Sequence, residues 1–391
     1  MNYEQSHRKL ISGQHTGPGA GLLRFLLRMI SVGYSFVIRL RNVLYSEGWL
    51  KVHHVEATVI CIGNITTGGT GKTPLVVWIY NQIISHVKTQ ISDSQCAILT
   101  RGYKAGKDSR PAPQDYSDEI AIFAESCPEA RVIVNPDRVA GANEAIHKFS
   151  AEVLIMDDGF QHRRLGRDLD IVTIDATLPF GYGKMLPAGL LREPVTALKR
   201  ADAVVITRCD QIGETELDEL EKRLQEIHPN IVVARSIHAP VCVKYPEPPV
   251  IPAKAGIQKD NENVDSCLRR NDNIKQLKGK KVFAFCGIGN PRAFLETIRH
   301  LGCELIGSRV YNDHYHYTDD CLSEIYSQAK HFGAELILTT QKDWTKVSRL
   351  IPVGKNISLA YLVIEIQFLS GREKLTALIE EALQGKIPQS S

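Results

Sequence analysis

The chain has little that would favour a secreted, zinc-binding or nucleic-acid-binding protein. Its nine cysteines are scattered, odd in number and without a Cys-x-x-Cys pair. Several lie in apolar, strand-like runs, so we expect reduced, buried thiols rather than disulfides or a zinc site. The formal net charge of +3 is too close to neutrality to indicate nucleic acid as a partner. A length of 391 residues, with 43% hydrophobic and 23% charged residues, predicts a globular protein of two or more domains.

The N-terminal apolar region lacks the uninterrupted ~20 apolar residues of a membrane-spanning helix. Within Gly21–Tyr45 the longest charge-free run is Met29–Ile38. Interrupting arginines and the absence of a small-residue cleavage site exclude a secretory signal. On a helix at about 100° per residue, the polar positions form one stripe of roughly 80°. The stripe consists of Arg24, Arg28, Ser31, Ser35, Arg39 and Asn42.

A wide apolar face with a narrow basic stripe suits a helix at the membrane interface, with arginines at anionic headgroups. An ordinary helix packed on the protein core gives the same pattern, so the residues alone leave both interpretations open. Residues 1–19 are polar and contain glycine, and we expect them to be frayed.

A glycine-rich loop joins a predicted strand to a predicted helix. Thr58–Ile62 is an apolar, β-branched run typical of a buried strand, and Pro74 suits the first turn of a helix. Loop amides and the helix N-terminus can bind phosphates, Lys72 can reach the β- and γ-phosphates, and the Thr73 hydroxyl can hold Mg²⁺. The predicted nucleotide-binding residues are Thr66, Thr67, Gly68, Gly69, Thr70, Gly71, Lys72 and Thr73. Thr66 departs from the usual pattern, which has glycine there.

A second chemical signal follows the apolar run Val153–Met156. Asp157 and Asp158 come at the end of this predicted strand and precede a glycine. A P-loop fold uses such a carboxylate to hold Mg²⁺ beside the nucleotide. A turn or helix cap is the alternative, and the preceding P-loop favours the metal interpretation.

Strands and helical patterns alternate from residue 57 onward, which predicts an α/β fold: a P-loop NTPase-like parallel sheet covered by helices on both faces. A second, smaller α/β unit follows a segment rich in proline, asparagine and charge. We therefore predict four parts. They are an N-terminal tail and helix (1–50), a P-loop core (51–244), a flexible linker or insertion (245–276) and the second α/β unit (277–391).

Three further motifs are ambiguous from the residues alone. Asp118 precedes an apolar run and could simply cap a helix. The run 312–317 contains two histidines, His314 and His316, that could orient a carboxylate or bind substrate. Thr207–Asp210 is distantly similar to the guanine-reading element of GTPases, but arginine replaces its lysine.

Taken together, these motifs resemble the tetraacyldisaccharide 4′-kinases of Gram-negative bacteria, and the likeness runs collinearly from about residue 20 to 370. The matching segments are Gly63–Pro74, Thr100–Tyr103, Ser117–Glu119, Asn135–Arg138, Asp157–His162, Leu186–Pro194, Gly287–Pro291, Asp313-His314 and Thr340–Asp343. The absence of glycine at position 66 is shared with that family, whereas the segment 245–276 has no counterpart there.

The resemblance implies that the γ-phosphate of ATP passes to the 4′-hydroxyl of a tetraacylated disaccharide 1-phosphate, the precursor of lipid A. It implies a monomer at the cytoplasmic face of the inner membrane, bound through the N-terminal helix. Asp118 would accept the hydroxyl proton with His314 as its partner, and Arg192 would contact the γ-phosphate. Mg²⁺ would lie on Thr73, Asp157 and Glu119. The implied substrate-binding residues are Asp158, His162, Arg101, Tyr103, Arg138 and Glu193.

Two other classes share parts of this pattern. A membrane-associated partitioning-type ATPase also has a modified P-loop and an amphipathic helix, but it usually has lysine early in the loop, where this chain has Thr67. The interpretation as a GTPase-type chaperone would depend on the motif Thr207–Asp210 alone.

Overall fold

The computed structural model describes residues 3–87, 95–102, 118–245, 274–313, 315–351 and 357–385. These residues form two compact units. Unit 1 comprises Met1–His238 and Ile366–Ser391, and unit 2 comprises Ala239–Glu365. Most of the predicted linker, from residue 246 to 273, lies outside the described residues.

Unit 1 is built on a parallel sheet. Its strands are β1 (Thr58–Gly63), β2 (Cys96–Thr100), β3 (Arg131–Val134), β4 (Val153–Asp157), β5 (Leu169–Asp175), β6 (Ala203–Thr207) and β7 (Val232–Lys244), which leaves unit 1 after His238. The strand order is β3-β2-β4-β1-β5-β6-β7, and every pairing is parallel. The carboxyl ends of parallel strands share one edge, where ligands bind in such sheets. The loop after β1 therefore lies between the ends of β4 and β5.

Helices cover both faces of this sheet. They are α3 (Lys72–Val87), α4 (Asp118–Ser126), α5 (Arg138–Phe149), α6 (Glu214–Ile227) and α10 (Arg372–Gln384), and unit 1 also contains the N-terminal helices α1 (Tyr3–Ile11) and α2 (Pro18–Ser46). Alternate residues of β1 enter different cores: Ile60 and Ile62 pack with α3 and α10, whereas Val59 and Cys61 pack with α5. Burial on both faces explains why this strand is continuously apolar rather than alternating. The predicted α/β fold with a parallel sheet is confirmed.

The N-terminal segment differs from its prediction in two ways. Residues 3–11 form a helix rather than a frayed tail, because Leu10 and Ile11 are buried. The polar stripe of α2 also lies partly against the protein: Ser31 donates to Met185 O at 2.8 Å, and Asn42 Nδ2 donates to Glu193 at 2.9 Å.

The apolar face of α2 is exposed instead. The exposed side chains are Leu22, Leu23, Phe25, Leu26, Met29, Ile30, Val32, Phe36, Val37, Leu40 and Val43. By length and composition alone, this 29-residue helix could cross a membrane. That differs from the sequence expectation, which considered only the charge-free run between two arginines.

Unit 2 contains a second parallel sheet segment. Its strands are β8 (Lys281–Cys286), β9 (Glu304–Val310), β10 (Leu336–Thr340) and β11 (Ser358–Ser370), in the order β11-β10-β8-β9. Its helices are α7 (Pro291–His300), α8 (Asp319–His331) and α9 (Gln341–Val347). The buried Asp343 accepts hydrogen bonds from Gly287 N and the Tyr317 hydroxyl at 2.9 and 3.0 Å. This contact ties the glycine-rich turn after β8 to the loop after β9.

The domain boundaries differ from the predicted ones at the C-terminus. Unit 2 ends at Glu365, within β11, and the chain then returns to unit 1. Leu375, Ile379 and Leu383 on α10 are buried in the unit 1 core. The prediction had assigned 277–391 to the second domain because helical spacing does not tell which core a helix packs on.

Candidate active site

The loop after β1 is shaped by close approaches that only glycine permits. A Cβ atom on Gly63 would lie 2.5 Å from the Phe160 side chain, which follows the acidic end of β4. Gly71, just before α3, has a φ of +89°, and a Cβ there would meet the His238 ring at 2.4 Å. The loop therefore packs in direct contact with Phe160 and His238. It ends at α3, whose first residues are Lys72 and Thr73.

A second chain segment is joined to the loop by main-chain hydrogen bonds. Thr67 N donates to Leu190 O at 2.8 Å, and Arg192 N donates to Ile65 O at 2.7 Å. Thr66 forms an antiparallel bridge with Leu191. The residue that replaces the usual P-loop glycine is thus part of the attachment that brings Arg192 to the loop.

Lys72, Asp158 and Arg192 converge at the end of β4. Lys72 Nζ lies 3.3 Å from Asp158 Oδ1, and Arg192 Nη1 donates to both carboxylate oxygens at 3.0 and 3.1 Å. These two cations hold the pKa of Asp158 well below its usual range. Asp158 has a left-handed backbone with a φ of 49°, a conformation that aspartate adopts more readily than most residues other than glycine. An anionic group at the position of this carboxylate therefore has two cations, Lys72 and Arg192, close enough to bind it.

The pKa of Asp157, in contrast, is raised. Burial and the adjacent Asp158 charge raise its pKa to about 7, and the Glu119 charge adds to the rise, while Lys72 opposes it. Its Oδ1 atom is buried without a hydrogen-bond partner among the described residues. A buried carboxylate oxygen without a partner is costly, so this site is suited to a cation.

We expect Asp157→Asn to stabilise the ligand-free protein, and the gain to grow with pH. The folded-state pKa of about 7 lies above the usual 3.8. Stability from this group is therefore fully present below pH ~4 and is lost as pH rises toward 7, where the native carboxyl ionises. The asparagine avoids that loss, which is at most about 4 kcal/mol. Urea unfolding at pH 5 and pH 8 measures it, and an equal gain at both would contradict the explanation.

Several predicted substrate-binding residues have structural partners. Arg138 is 3% exposed and donates to Asn135 O and Asp157 O at 2.8 and 3.0 Å. Glu193 is fully buried and forms ion pairs with Arg41 and Arg200. These contacts suit a role in holding β4 and α2 in place, so substrate contact by either residue stays a prediction.

His162 lies near the acidic strand end. Burial, together with the charges of Arg138 and Arg101, lowers its pKa to about 4, so the ring is neutral at pH 7. Arg101 directly follows β2 and is exposed. His162 is therefore close enough to Arg101 and Asp158 to interact with their charges. Substrate binding by His162 and Arg101 stays a prediction.

Of the four remaining predicted site residues, the structure describes Asp118 and Glu119. Asp118 is the first residue of α4, which fits its predicted helix-terminal position. Glu119 follows it and interacts electrostatically with Asp157. Tyr103 and His314 lie outside the described residues.

The polar contacts that Thr173, Asp175 and Arg208 make behind the loop were missed by sequence reasoning. Thr70 Oγ1 bonds Thr173 Oγ1 at 2.7 Å, and Arg208 Nη2 donates to Gly69 O at 2.8 Å. Arg208 also forms an ion pair with Asp175. The available signal was that Asp175 and Thr207 each end a strand of the same parallel sheet.

The fold and the loop define unit 1 as a P-loop nucleotide-binding protein with an acidic strand end beside the loop lysine. The model of one family, tetraacyldisaccharide-1-P 4′-kinase, matches residues 23–384. The chain belongs to this family. It is accordingly an ATP-dependent kinase, and the partitioning-type ATPase interpretation is not supported.

Individual relatives agree with this assignment. The tetraacyldisaccharide 4′-kinase of Halothermothrix orenii is 35% identical over 375 residues, covering 92% of this chain and 93% of the relative. That of Geobacter sulfurreducens is 33% identical over 362 residues, covering 88% and 92%. A crystal structure of the Aquifex aeolicus family member, described as an "apo" form in complex with ATP, has a TM-score of 0.65 and 28% identity. It covers 92% of this chain and 99% of that one.

Proposed function

We propose that this chain transfers the γ-phosphate of ATP to the 4′-hydroxyl of a tetraacylated glucosamine disaccharide 1-phosphate, at the cytoplasmic face of the inner membrane. The observation that carries the proposal is the convergence of Lys72 and Arg192 on Asp158 beside the glycine loop. Asp158 is paired with both cations. The γ-phosphate of ATP would replace it as their anionic partner, because phosphate accepts charge-assisted hydrogen bonds from both.

The residues at the end of β4 fit Mg²⁺. Asp157 has a buried, unpartnered oxygen, Glu119 is close enough to raise its pKa, and Thr73 lies at the start of α3. The described residues contain no group of three or more His, Cys, Asp or Glu side chains that could hold a metal. That suits Mg²⁺, which usually takes one or two carboxylates together with substrate phosphates. When bound, the ion would neutralise charge developing on the transferred phosphate.

The acceptor hydroxyl would be activated by Asp118, with His314 as its partner. The family likeness supports these two roles. Proton transfer by a positioned carboxylate complements a site that otherwise works by positioning and charge neutralisation. Arg101, Tyr103 and His162 would bind the sugar phosphate head, while Arg138 and Glu193 would keep the adjoining segments in register.

The exposed face of α2 would lie in the membrane surface and give a monomeric enzyme access to a substrate with four acyl chains. Its side chains form a contiguous apolar set on one helix, as expected of a membrane interaction site. Contacts of Ser31, Tyr34 and Asn42 with residues 185–193 would hold this helix next to the loop that positions Arg192.

The assay for this proposal is transfer of label from γ-³²P-ATP to the disaccharide lipid in detergent with Mg²⁺. We expect labelled lipid in proportion to ADP, dependence on Mg²⁺, and little hydrolysis of ATP when the lipid is left out. Vigorous hydrolysis without lipid, or a requirement for GTP, would count against the kinase.

The membrane role makes a separate prediction. Phe25 and Phe36 on α2 are 56% and 67% exposed, so replacing both with serine should leave stability unchanged. It should weaken binding to anionic phospholipid vesicles at least about a hundredfold, since burying each phenylalanine contributes roughly 1.5–3 kcal/mol. Co-sedimentation with vesicles measures the effect.

The matched control replaces Phe149 and Phe332 with serine, since these two are also exposed but lie outside α2. Equal vesicle binding by the α2 double variant and this control would remove α2 from the membrane role.

A further inference from the structure

A cluster of buried polar side chains lies behind the phosphate-binding loop. Arg208, directly after β6, donates from Nη2 to Gly69 O at 2.8 Å and forms an ion pair with Asp175. Asp175 ends β5, and its other oxygen accepts hydrogen bonds from the Thr177 amide and hydroxyl at 3.0 and 2.7 Å. Arg208 and Asp175 are 6% and 8% exposed. The guanidinium is therefore fixed between a strand end and the loop main chain.

Thr207 makes a second tie to the same loop. Its hydroxyl donates to Thr70 O at 3.0 Å. The Thr70 side chain is itself held, because its Oγ1 atom accepts from Asn64 Nδ2 at 3.0 Å and bonds Thr173 Oγ1 at 2.7 Å. Two consecutive carbonyls, those of Gly69 and Thr70, thus point toward β5 and β6.

The direction of these carbonyls sets the direction of two amides. In a planar trans peptide the C=O and the following N–H point in opposite directions. With Gly69 O aimed at Arg208 and Thr70 O aimed at Thr207, the amides of Thr70 and Gly71 are directed to the opposite side of the loop. Successive amides turned to one side form an anion-binding concavity, which is the geometry that a P-loop presents to phosphate.

The backbone at Arg208 gives an independent reason to assign it a role. Its φ of 58° and ψ of 37° lie in the left-handed region, where residues other than glycine, asparagine and aspartate are uncommon. Strain of this kind persists where surrounding contacts over-determine the residue, and it clusters at functional sites. Here those contacts are the Asp175 ion pair and the Gly69 hydrogen bond.

We propose that Arg208, held by Asp175, is a positioning residue for ATP: it turns the Gly69–Thr70 peptide so that the loop amides face the nucleotide phosphates. The inference rests on the proposed phosphate-binding role of the loop. It also gives Thr207–Asp210 a function other than reading a guanine base, because the arginine at its second position turns back onto the loop.

Three conservative variants test this proposal. Arg208→Lys keeps the charge but loses the two-pronged geometry, Asp175→Asn releases the guanidinium, and Thr207→Val removes only the hydroxyl tie. We expect the Kd for Mg²⁺-ATP, measured calorimetrically without lipid, to rise about tenfold in the first two and less in the third. The KM for ATP should rise in parallel, while the KM for the lipid stays unchanged.

Arg235→Gln is the matched control. Arg235 also lies in unit 1 and forms ion pairs with Glu214, Asp218 and Glu221, and in the described part of the chain these ion pairs do not involve the loop. It should lower the Tm without changing the Kd for ATP. Wild-type ATP affinity in Arg208→Lys, or equal rises in both KM values, would overturn the positioning role. Failure of the wild-type protein to bind ATP would instead overturn the proposed function of the loop.

Discussion

Replacing Lys72 with methionine is expected to lower the rate of phosphoryl transfer about a thousandfold. The ammonium group lies 3.3 Å from Asp158, where the proposed γ-phosphate would take the place of the carboxylate. Charge on the transferred phosphate is largely stabilised by fixed cations of this kind. Methionine keeps the length of the stem and removes only the charge. Steady-state transfer of label to the lipid measures the loss, and circular dichroism checks that the fold is retained.

Lys148→Met is the matched control for this substitution. Lys148 is also paired with an acid, Glu144, but it is 65% exposed and lies on α5 away from the loop. It should transfer phosphate at the wild-type rate. A Lys72→Met enzyme that works within a few-fold of wild type would mean that this loop does not bind the reacting phosphates.

Asp118→Asn is expected to lower the transfer rate between about 10²- and 10⁴-fold while leaving the Kd for ATP unchanged. The asparagine has the same shape but cannot take the proton of the attacking hydroxyl. Asp118 begins α4, and loss of its charge at the helix N-terminus costs at most about 1 kcal/mol. Single-turnover transfer together with calorimetric ATP binding separates catalysis from binding.

Asp137→Asn controls for a change of charge at a helix start. Asp137 caps α5 by accepting from the Val139 and Ala140 amides, and asparagine caps about as well as aspartate. We expect unchanged transfer. If Asp118→Asn were equally active, or if it lost ATP affinity in proportion to its rate, the general-base assignment would be removed.

The central part of the site follows from local sequence. Lys72 begins the helix after the loop that follows one apolar strand, and the paired acids come at the end of another. Parallel strands bring these ends to one edge of the sheet. The α/β fold and the phosphate loop were therefore predictable from periodicity and glycine spacing. The general-base role of Asp118 could be predicted only from the family likeness, because the residues around it fit an ordinary helix start.

The supporting structure was not predictable in the same way. Arg192 reaches Asp158 only because Leu190 to Arg192 pair with the loop, a contact between segments far apart in the chain. Arg208 appeared as a poor match to a guanine-reading motif, and only the fold shows that its side chain turns inward. The polar stripe of α2 was predictable from the sequence, but its contacts were not: Ser31 and Asn42 bond to the protein, while the apolar side is exposed.

The measurement that tests the central claim most directly is the position of the new phosphate. The reaction product of the disaccharide 1-phosphate, ATP and Mg²⁺ would be purified and its phosphates assigned by proton–phosphorus correlation NMR. We expect a second phosphomonoester on the 4′-carbon, formed in equal amount to ADP. Phosphate at another hydroxyl, extension of the existing 1-phosphate, or ADP formed without a new phosphate ester would contradict the account.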